Sequence, residues 1–151
     1  MAKIGFIGLG AMGLCMARNL LTSGHEVIGF DFSKVAMDAH VKNGGDIAIS
    51  AAEASAEANF AIAMLPHGDA VKQAVLGPSG VAEKLPKDSL FVDMSTIHPL
   101  ETEHIRQDLR AQNISMVDEP VGRTPVEAEM GKCGIMVGRE RWDDDGGRQG
   151  V

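Results

Sequence analysis

Three glycines, Gly8, Gly10 and Gly13, stand in the spacing G-x-G-x-x-G directly after the short run Lys3-Ile4-Gly5-Phe6-Ile7. A second apolar run, Val27-Ile28-Gly29-Phe30, closes on an aspartate, Asp31. This order suits a pyrophosphate. The first glycine lets the chain turn sharply out of a strand. The second lets backbone approach the phosphates with no Cβ in the way, and the third lets the following helix pack closely on the sheet. The phosphate oxygens then meet the unpaired N–H groups of the helix start, at Ala11, Met12 and Gly13, where the helix dipole favours negative charge. Asp31 lies 18 residues after Gly13, near the roughly 20 expected for the carboxylate that binds the ribose hydroxyls. A carboxylate at that point repels a 2′-phosphate, so NAD is the expected cofactor. NADP stays open, because Lys34 follows closely.

These residues need a scaffold, and the chain reads as one. Strand patterns over residues 3–8, 26–31, 46–48, 59–64, 89–93 and 114–118 alternate with helical patterns over 11–23, 33–42, 51–57, 67–76 and 99–111. Residues 133–137 read as one more short strand. Ser33 is placed to cap the second helix, and Ser50 with Glu53 forms a capping box for the third. Alternation of this kind implies a doubly wound parallel sheet of Rossmann type, with right-handed crossovers and helices on both faces. Ligands of such sheets sit beyond the carboxyl ends of the strands. Those ends carry the unusual residues: the glycine loop, Asp31, Met64-Leu65-Pro66-His67, Asp93-Met94-Ser95-Thr96-Ile97-His98-Pro99 and Asp118-Glu119-Pro120-Val121-Gly122-Arg123-Thr124.

Composition narrows the function. A chain of 151 residues, 44% hydrophobic with 18 glycines, fits one α/β domain. A net charge of −7 argues against nucleic acid as a partner, since phosphate backbones call for clustered Lys and Arg. No run reaches the roughly 18 apolar residues of a membrane span, and the start shows no leader pattern. Two cysteines, Cys15 and Cys133, fit a reduced, cytoplasmic protein better than a disulfide scaffold. No His, Cys, Asp and Glu cluster has ligand spacing, so no metal is expected. His25, His40, His67 and His104 are expected on the surface. Asp118 and Glu119 are adjacent in a strand, so they point to opposite faces and do not pair as acid and base. A methyltransferase also places glycines after its first strand and an acid after its second. The Gly13 spacing and Met64-Leu65-Pro66 speak against that alternative.

Taken together, the segment from Phe6 to Leu20 with Met64-Leu65-Pro66 and Asp93-Met94-Ser95-Thr96-Ile97-His98-Pro99 resembles the β-hydroxyacid dehydrogenases, the group of 3-hydroxyisobutyrate dehydrogenase and tartronate semialdehyde reductase. The resemblance covers residues 3 to about 138. It implies that Leu65 and Pro66 line the cofactor, that Thr96 contacts it near the nicotinamide, and that Ser95 neighbours the reacting carbon. The Ser95 and Thr96 hydroxyls are also placed to cap the next helix. The resemblance implies that His98 is not the catalyst. Most members have Ser-Gly-Gly after the sixth strand, whereas this chain has Gly122-Arg123-Thr124. That departure resembles the sulfolactaldehyde reductase branch, where an arginine grips the substrate's sulfonate. A guanidinium is a planar fork suited to sulfonate or carboxylate, so a small anionic aldehyde or hydroxy acid is the expected substrate.

The family implies more than the sequence contains. Its catalytic lysine lies on a long helix leading into a second, all-helical domain, which also carries much of the interface of its homo-oligomers. Here residues 139–151, Arg139-Glu140-Arg141-Trp142-Asp143-Asp144-Asp145-Gly146-Gly147-Arg148-Gln149-Gly150-Val151, have no helical apolar period and do not resemble the group. They read as a disordered tail, with a frameshift or truncated gene model as the expected origin. Lys3, Lys34, Lys42, Lys72, Lys84 and Lys87 have surface patterns, and nothing fixes Lys132 or lowers its pKa. The chain alone is therefore expected to bind nucleotide through a domain spanning 1–138 and to catalyse poorly or not at all. The competing expectation is a non-catalytic nucleotide-binding module or a decayed fragment.

Overall fold

The computed structural model describes residues 1–122 and 134–135. Six parallel strands form one sheet: β1 (Lys3–Ile7), β2 (Glu26–Phe30), β3 (Asp46–Ile47), β4 (Phe60–Ala63), β5 (Leu90–Asp93) and β6 (Ser115–Asp118). Their spatial order is β3-β2-β1-β4-β5-β6, the doubly wound order with its switch point between β1 and β4. The helices are α1 (Ala11–Thr22), α2 (Lys34–Lys42), α3 (Ala51–Ser55), α4 (Gly68–Leu76) and α5 (Pro99–Arg110), with a 3-10 turn at Val81–Glu83. Each lies within or close to its expected span. The pairing of β7 (Val121–Gly122) with β8 (Gly134–Ile135) is antiparallel. Only β8 was expected; the Pro120 neighbourhood masked the two residues of β7.

The strands are short and apolar because both faces are covered. On one face Phe6, Val27, Ile62 and Val92 pack with Leu9 and Ala17. On the other, Ile7, Ala61, Ala63 and Phe91 pack with Val71, Val75, Ile105 and Leu109. Neighbouring residues of β1, Phe6 and Ile7, thus belong to opposite cores.

One histidine departs from expectation. His40, expected at the surface, is fully buried at the end of α2. Its Nε2 lies 3.2 Å from the Val27 carbonyl oxygen. The ring fits because the residues beside it lack side chains. A Cβ on Gly45 would stand 2.1 Å from Nε2, and one on Gly29 would stand 2.8 Å from Cδ2. Burial holds the imidazole below its ordinary pKa, partly offset by the Val27 and Asp46 backbone. His25 is half-buried, while His67 and His104 are exposed.

Candidate functional site

The rim at the carboxyl ends of the strands is held by backbone bonds that continue past them. Gly8 N–H donates to Phe30, Met64 N–H to Ile7, Met94 N–H to Ala63 and Glu119 N–H to the Asp93 carbonyl. Each loop therefore leaves the sheet from a fixed point.

The three glycines of the first loop have different physical reasons. Gly8 has φ +94° and lies against the Met64 carbonyl, so a side chain is excluded twice over. Gly13 sits in α1 where a Cβ would stand 1.9 Å from the Gly8 oxygen. Gly10 is unlike both: it is exposed, and nothing lies within 4 Å of where its Cβ would be. Packing does not require a glycine there. What the missing side chain leaves is open space at the start of a helix.

Among the α-helices of the described residues, that start is the one without a side-chain cap. Ser33, Ser50, His67 and His98 each accept a backbone N–H at the openings of α2, α3, α4 and α5. At α1 the N-cap residue is Gly10, which has no side chain to do so. The first N–H groups of a helix have no intrahelical acceptor, so the donors of Ala11, Met12 and Gly13 are not used within α1. An anion bridging those donors meets their need and the dipole's.

Beside this opening runs a cleft of about 440 Å³, within the usual range for a small-molecule site. Gly8, Asp31, Leu65 and Pro66 line it as expected for one rim. Phe32, Ile49 and Pro78 line it too and were not singled out in the sequence. Phe32 and Ile49 are 92% and 84% exposed, and the Phe32 ring meets Phe30 edge-on with centroids 5.4 Å apart. Two large apolar side chains left in water beside a cleft suit a flat apolar ligand.

Asp31 ties the two halves of this opening together. Its Oδ2 accepts the Leu9 N–H at 2.7 Å, and its Oδ1 accepts the Ser33 N–H at 2.7 Å. The carboxylate is half-buried at the cleft edge, with further acceptor capacity for hydroxyl donors. Lys34 does not neutralise it; its Nζ pairs with Asp38 at 2.7 Å.

The loop after β5 holds the other expected residues. Thr96 is exposed. Ser95 is buried to 1% exposure, below the rim rather than on it. Its Oγ accepts the Leu65 N–H at 2.9 Å, and its own N–H donates to Asp93 Oδ1 at 2.9 Å. The cap of α5 is His98, not a hydroxyl. His98 Nδ1 accepts the Leu100 N–H, and Glu101 Oε2 accepts the His98 N–H. That structural duty accounts for His98. Gly122 lies in β7 against Gly134. Arg123 and Thr124, with Lys132 and Cys133, lie outside the described residues, as does the stretch from 139 onward.

Sequence reasoning passed over one buried group. Asp93 is 0% exposed. Burial pushes its carboxyl up to about 6, Ser95 opposes the rise, and Asp118 adds to it. Among the described residues its Oδ2 has no hydrogen-bond partner. Asp118 is its register partner across β5 and β6, and burial raises that carboxyl also, with Arg106 opposing. An apolar strand run ending in Asp was the only signal available, and it resembles any strand end.

Comparison with known proteins agrees with this geometry. The family model for the NAD binding domain of 6-phosphogluconate dehydrogenase matches residues 3–143. The 3-sulfolactaldehyde reductase of Escherichia coli K12 is 46% identical over 138 residues, which is 91% of this chain and 46% of that protein. The 3-hydroxyisobutyrate dehydrogenase of Pseudomonas aeruginosa is 35% identical over 91% of this chain and 46% of its own length. The solved structure of Mycobacterium tuberculosis 3-hydroxyisobutyrate dehydrogenase with L-serine superposes with a TM-score of 0.88 at 33% identity, covering 93% of this chain and 47% of that one. The chain spans about half the length of these relatives. The uncapped glycine loop, the acid after β2 and the strand order thus have one explanation: the chain belongs to the family of the NAD binding domain of 6-phosphogluconate dehydrogenase and is related there to the hydroxyacid dehydrogenases.

Proposed function

We propose that this chain is the cofactor-binding part of an NAD-dependent reductase of small aldehyde acids, and that its substrate carries an anionic tail. The observation that carries the reading is the contrast at the helix starts: four are capped by side chains, and the one beside the cleft is bare. Gly8, Gly10, Ala11, Met12 and Gly13 receive the pyrophosphate on backbone N–H groups. Asp31 accepts the ribose hydroxyls and disfavours a 2′-phosphate, so NAD is preferred to NADP. Phe32, Ile49 and Pro78 cover the adenine, and Leu65, Pro66 and Thr96 face the remainder of the cofactor. When bound, the nicotinamide exchanges a hydride with the carbonyl or alcohol carbon of the substrate.

On the substrate side, Gly122, Arg123 and Thr124 hold the anionic tail, with the Arg123 guanidinium as its partner. Ser95 supports this side from below. The name of the Escherichia coli relative points to a sulfonate, and that of the Pseudomonas relative to a carboxylate; the fork of an arginine serves both.

Fusing the helical half of a related dehydrogenase to this chain tests the proposal. The fusion is expected to oxidise NADH in the presence of a short aldehyde bearing a sulfonate or carboxylate, and Arg123→Ala is expected to raise KM more than it lowers kcat. A folded fusion that binds NADH and turns over no such aldehyde contradicts the reductase reading and leaves a binding module.

A further inference from the structure

We propose that Asp93 is a positioning residue for the cofactor, holding the loop after β4 against the loop after β5 through Ser95, so that protonation of its carboxyl loosens both. The inference rests on the cofactor reading above. The connection is short and continuous. Asp93 Oδ1 accepts the Ser95 N–H at 2.9 Å, and Ser95 Oγ accepts the Leu65 N–H at 2.9 Å. Leu65 lines the cleft, and Thr96 follows Ser95 directly. One buried carboxylate therefore fixes the start of both loops assigned to the cofactor.

The protonation state matters because of what each form does for Ser95. An ionised carboxylate only accepts, so it strengthens the bond from the Ser95 N–H. A protonated carboxyl accepts less well, so the bond from the Ser95 N–H weakens and the Ser95 hydroxyl that holds Leu65 is less firmly placed. Among the described residues, Asp118 is the titratable neighbour that can contribute to the same transition, since burial raises its carboxyl too. The loop that follows Asp93 presents Ser95, β6 presents Asp118, and α5 presents Arg106 toward Asp118. On β4 the register partner of Asp93 is Ala63, which does not titrate. Burial holds the Asp93 carboxyl at about 6, so the change falls within a range the folded chain can be studied in. Complete burial, with no hydrogen-bond partner for Oδ2 among the described residues, makes the site costly as mere packing, since buried polar atoms are normally satisfied.

The test uses the whole chain, isotope-labelled, with amide resonances followed from pH 4.5 to 8 in the absence of cofactor. The Leu65 and Ser95 amides are expected to shift together with a midpoint near 6, and to stop doing so in Asp93→Asn. That variant separates Asp93 from the flanking caps His67 and His98. In Ser95→Ala the amide of residue 95 keeps its titration while that of Leu65 becomes flat, which keeps the test alive if the Asp93 variant does not fold. NADH dissociation constants are then measured by NADH fluorescence at pH 5 and 7.5. The unsubstituted chain is expected to bind about fivefold more weakly at pH 5, the effect of one weakened charge-assisted bond, and Asp93→Asn is expected to show no such ratio. A Leu65 amide that does not titrate, or that titrates alike in Asp93→Asn, overturns the coupling. A titrating Leu65 amide with equal NADH affinity at both pH values overturns its role toward the cofactor. Binding at neither pH overturns the cofactor reading itself and this role with it.

Discussion

The carboxylate of Asp31 accepts the N–H of Leu9 at 2.7 Å, so the acid after β2 is bound to the glycine loop after β1 in the protein alone. The two parts of the candidate nucleotide site are thereby pre-organised against each other. Asp31→Ala removes that bond and the one from the Ser33 N–H, and is expected to lower stability by about 1.5–3 kcal/mol, as for hydrogen bonds to a charged group. It is also expected to weaken NADH more than NADPH, narrowing the preference between them. Urea unfolding and paired NADH and NADPH titrations check both effects.

Gly10 and Gly13 should separate cleanly. Gly10 has φ −65° and open space around its Cβ position, so Gly10→Val meets no clash and is expected to cost about 0.5–1 kcal/mol, the loss of a residue preferred at a helix N-cap. Its side chain fills the place assigned to the pyrophosphate, so NADH affinity should fall by about tenfold or more, at least one charge-assisted bond in value. Gly13→Ala drives a methyl group into the Gly8 carbonyl and is expected to cost about 1–3 kcal/mol by overpacking. Thermal melts and NADH titration of the two variants should therefore give opposite rankings.

The two phenylalanines at opposite extremes of burial make a second contrast. Phe91 is 0% exposed and Phe32 is 92% exposed. Phe91→Ala is expected to cost about 3–5 kcal/mol through the cavity it leaves. Phe32→Ala is expected to leave the denaturant midpoint almost unchanged and to weaken NADH. Equal effects on folding would contradict the assignment of Phe32 to the ligand.

Stability should depend on pH through groups of opposite sign, His40 on one side and Asp93, with Asp118 in the same direction, on the other. His40 is held neutral, with its pKa below the ordinary 6.5. Its contribution is complete above that value and is lost as the pH falls below it, because the unfolded chain binds the proton more readily. Asp93 has the reverse sign. Its carboxyl rises from 3.8 to about 6, so stability is greatest below 3.8 and declines as the pH climbs through 6. The full effect is about 3 kcal/mol, from about 2 units at 1.36 kcal/mol each. Between pH 5 and 6.5 the two partly cancel. Asp93→Asn should expose the His40 slope, with a midpoint in urea that falls more steeply from pH 7 to 5 than in the unsubstituted chain.

Much of this site could be read from local pattern. The glycine spacing, the apolar runs and the punctuating Gly and Pro residues act over a few positions, and they placed the sheet, Asp31 and Leu65 correctly on one rim. What escaped depends on elements distant in sequence. His40 is polar and near a helix end, where a surface position is the ordinary expectation. Its burial requires the bare backbone of Gly29 and Gly45. Asp93 ends an apolar strand as Asp31 does, yet one is fully buried beside Asp118 of β6 while the other opens to a cleft. Phe32 and Ile49 look like incidental exposed residues until the fold sets both along the same groove. His98 caps α5 although hydroxyls two and three residues earlier were nearer the usual chemistry for that duty.

The central claim is that the bare start of α1, with Asp31 beside it, receives a dinucleotide. Calorimetric titration of NADH into the purified chain addresses it most directly, with a thermal melt at saturation alongside. The account predicts saturable heat for one site per chain, strongly reduced in Gly10→Val, and a higher melting temperature, since a ligand at 100 times its Kd adds about 2.7 kcal/mol to the folded state. A folded chain that releases no heat and melts at the same temperature with and without NADH contradicts it.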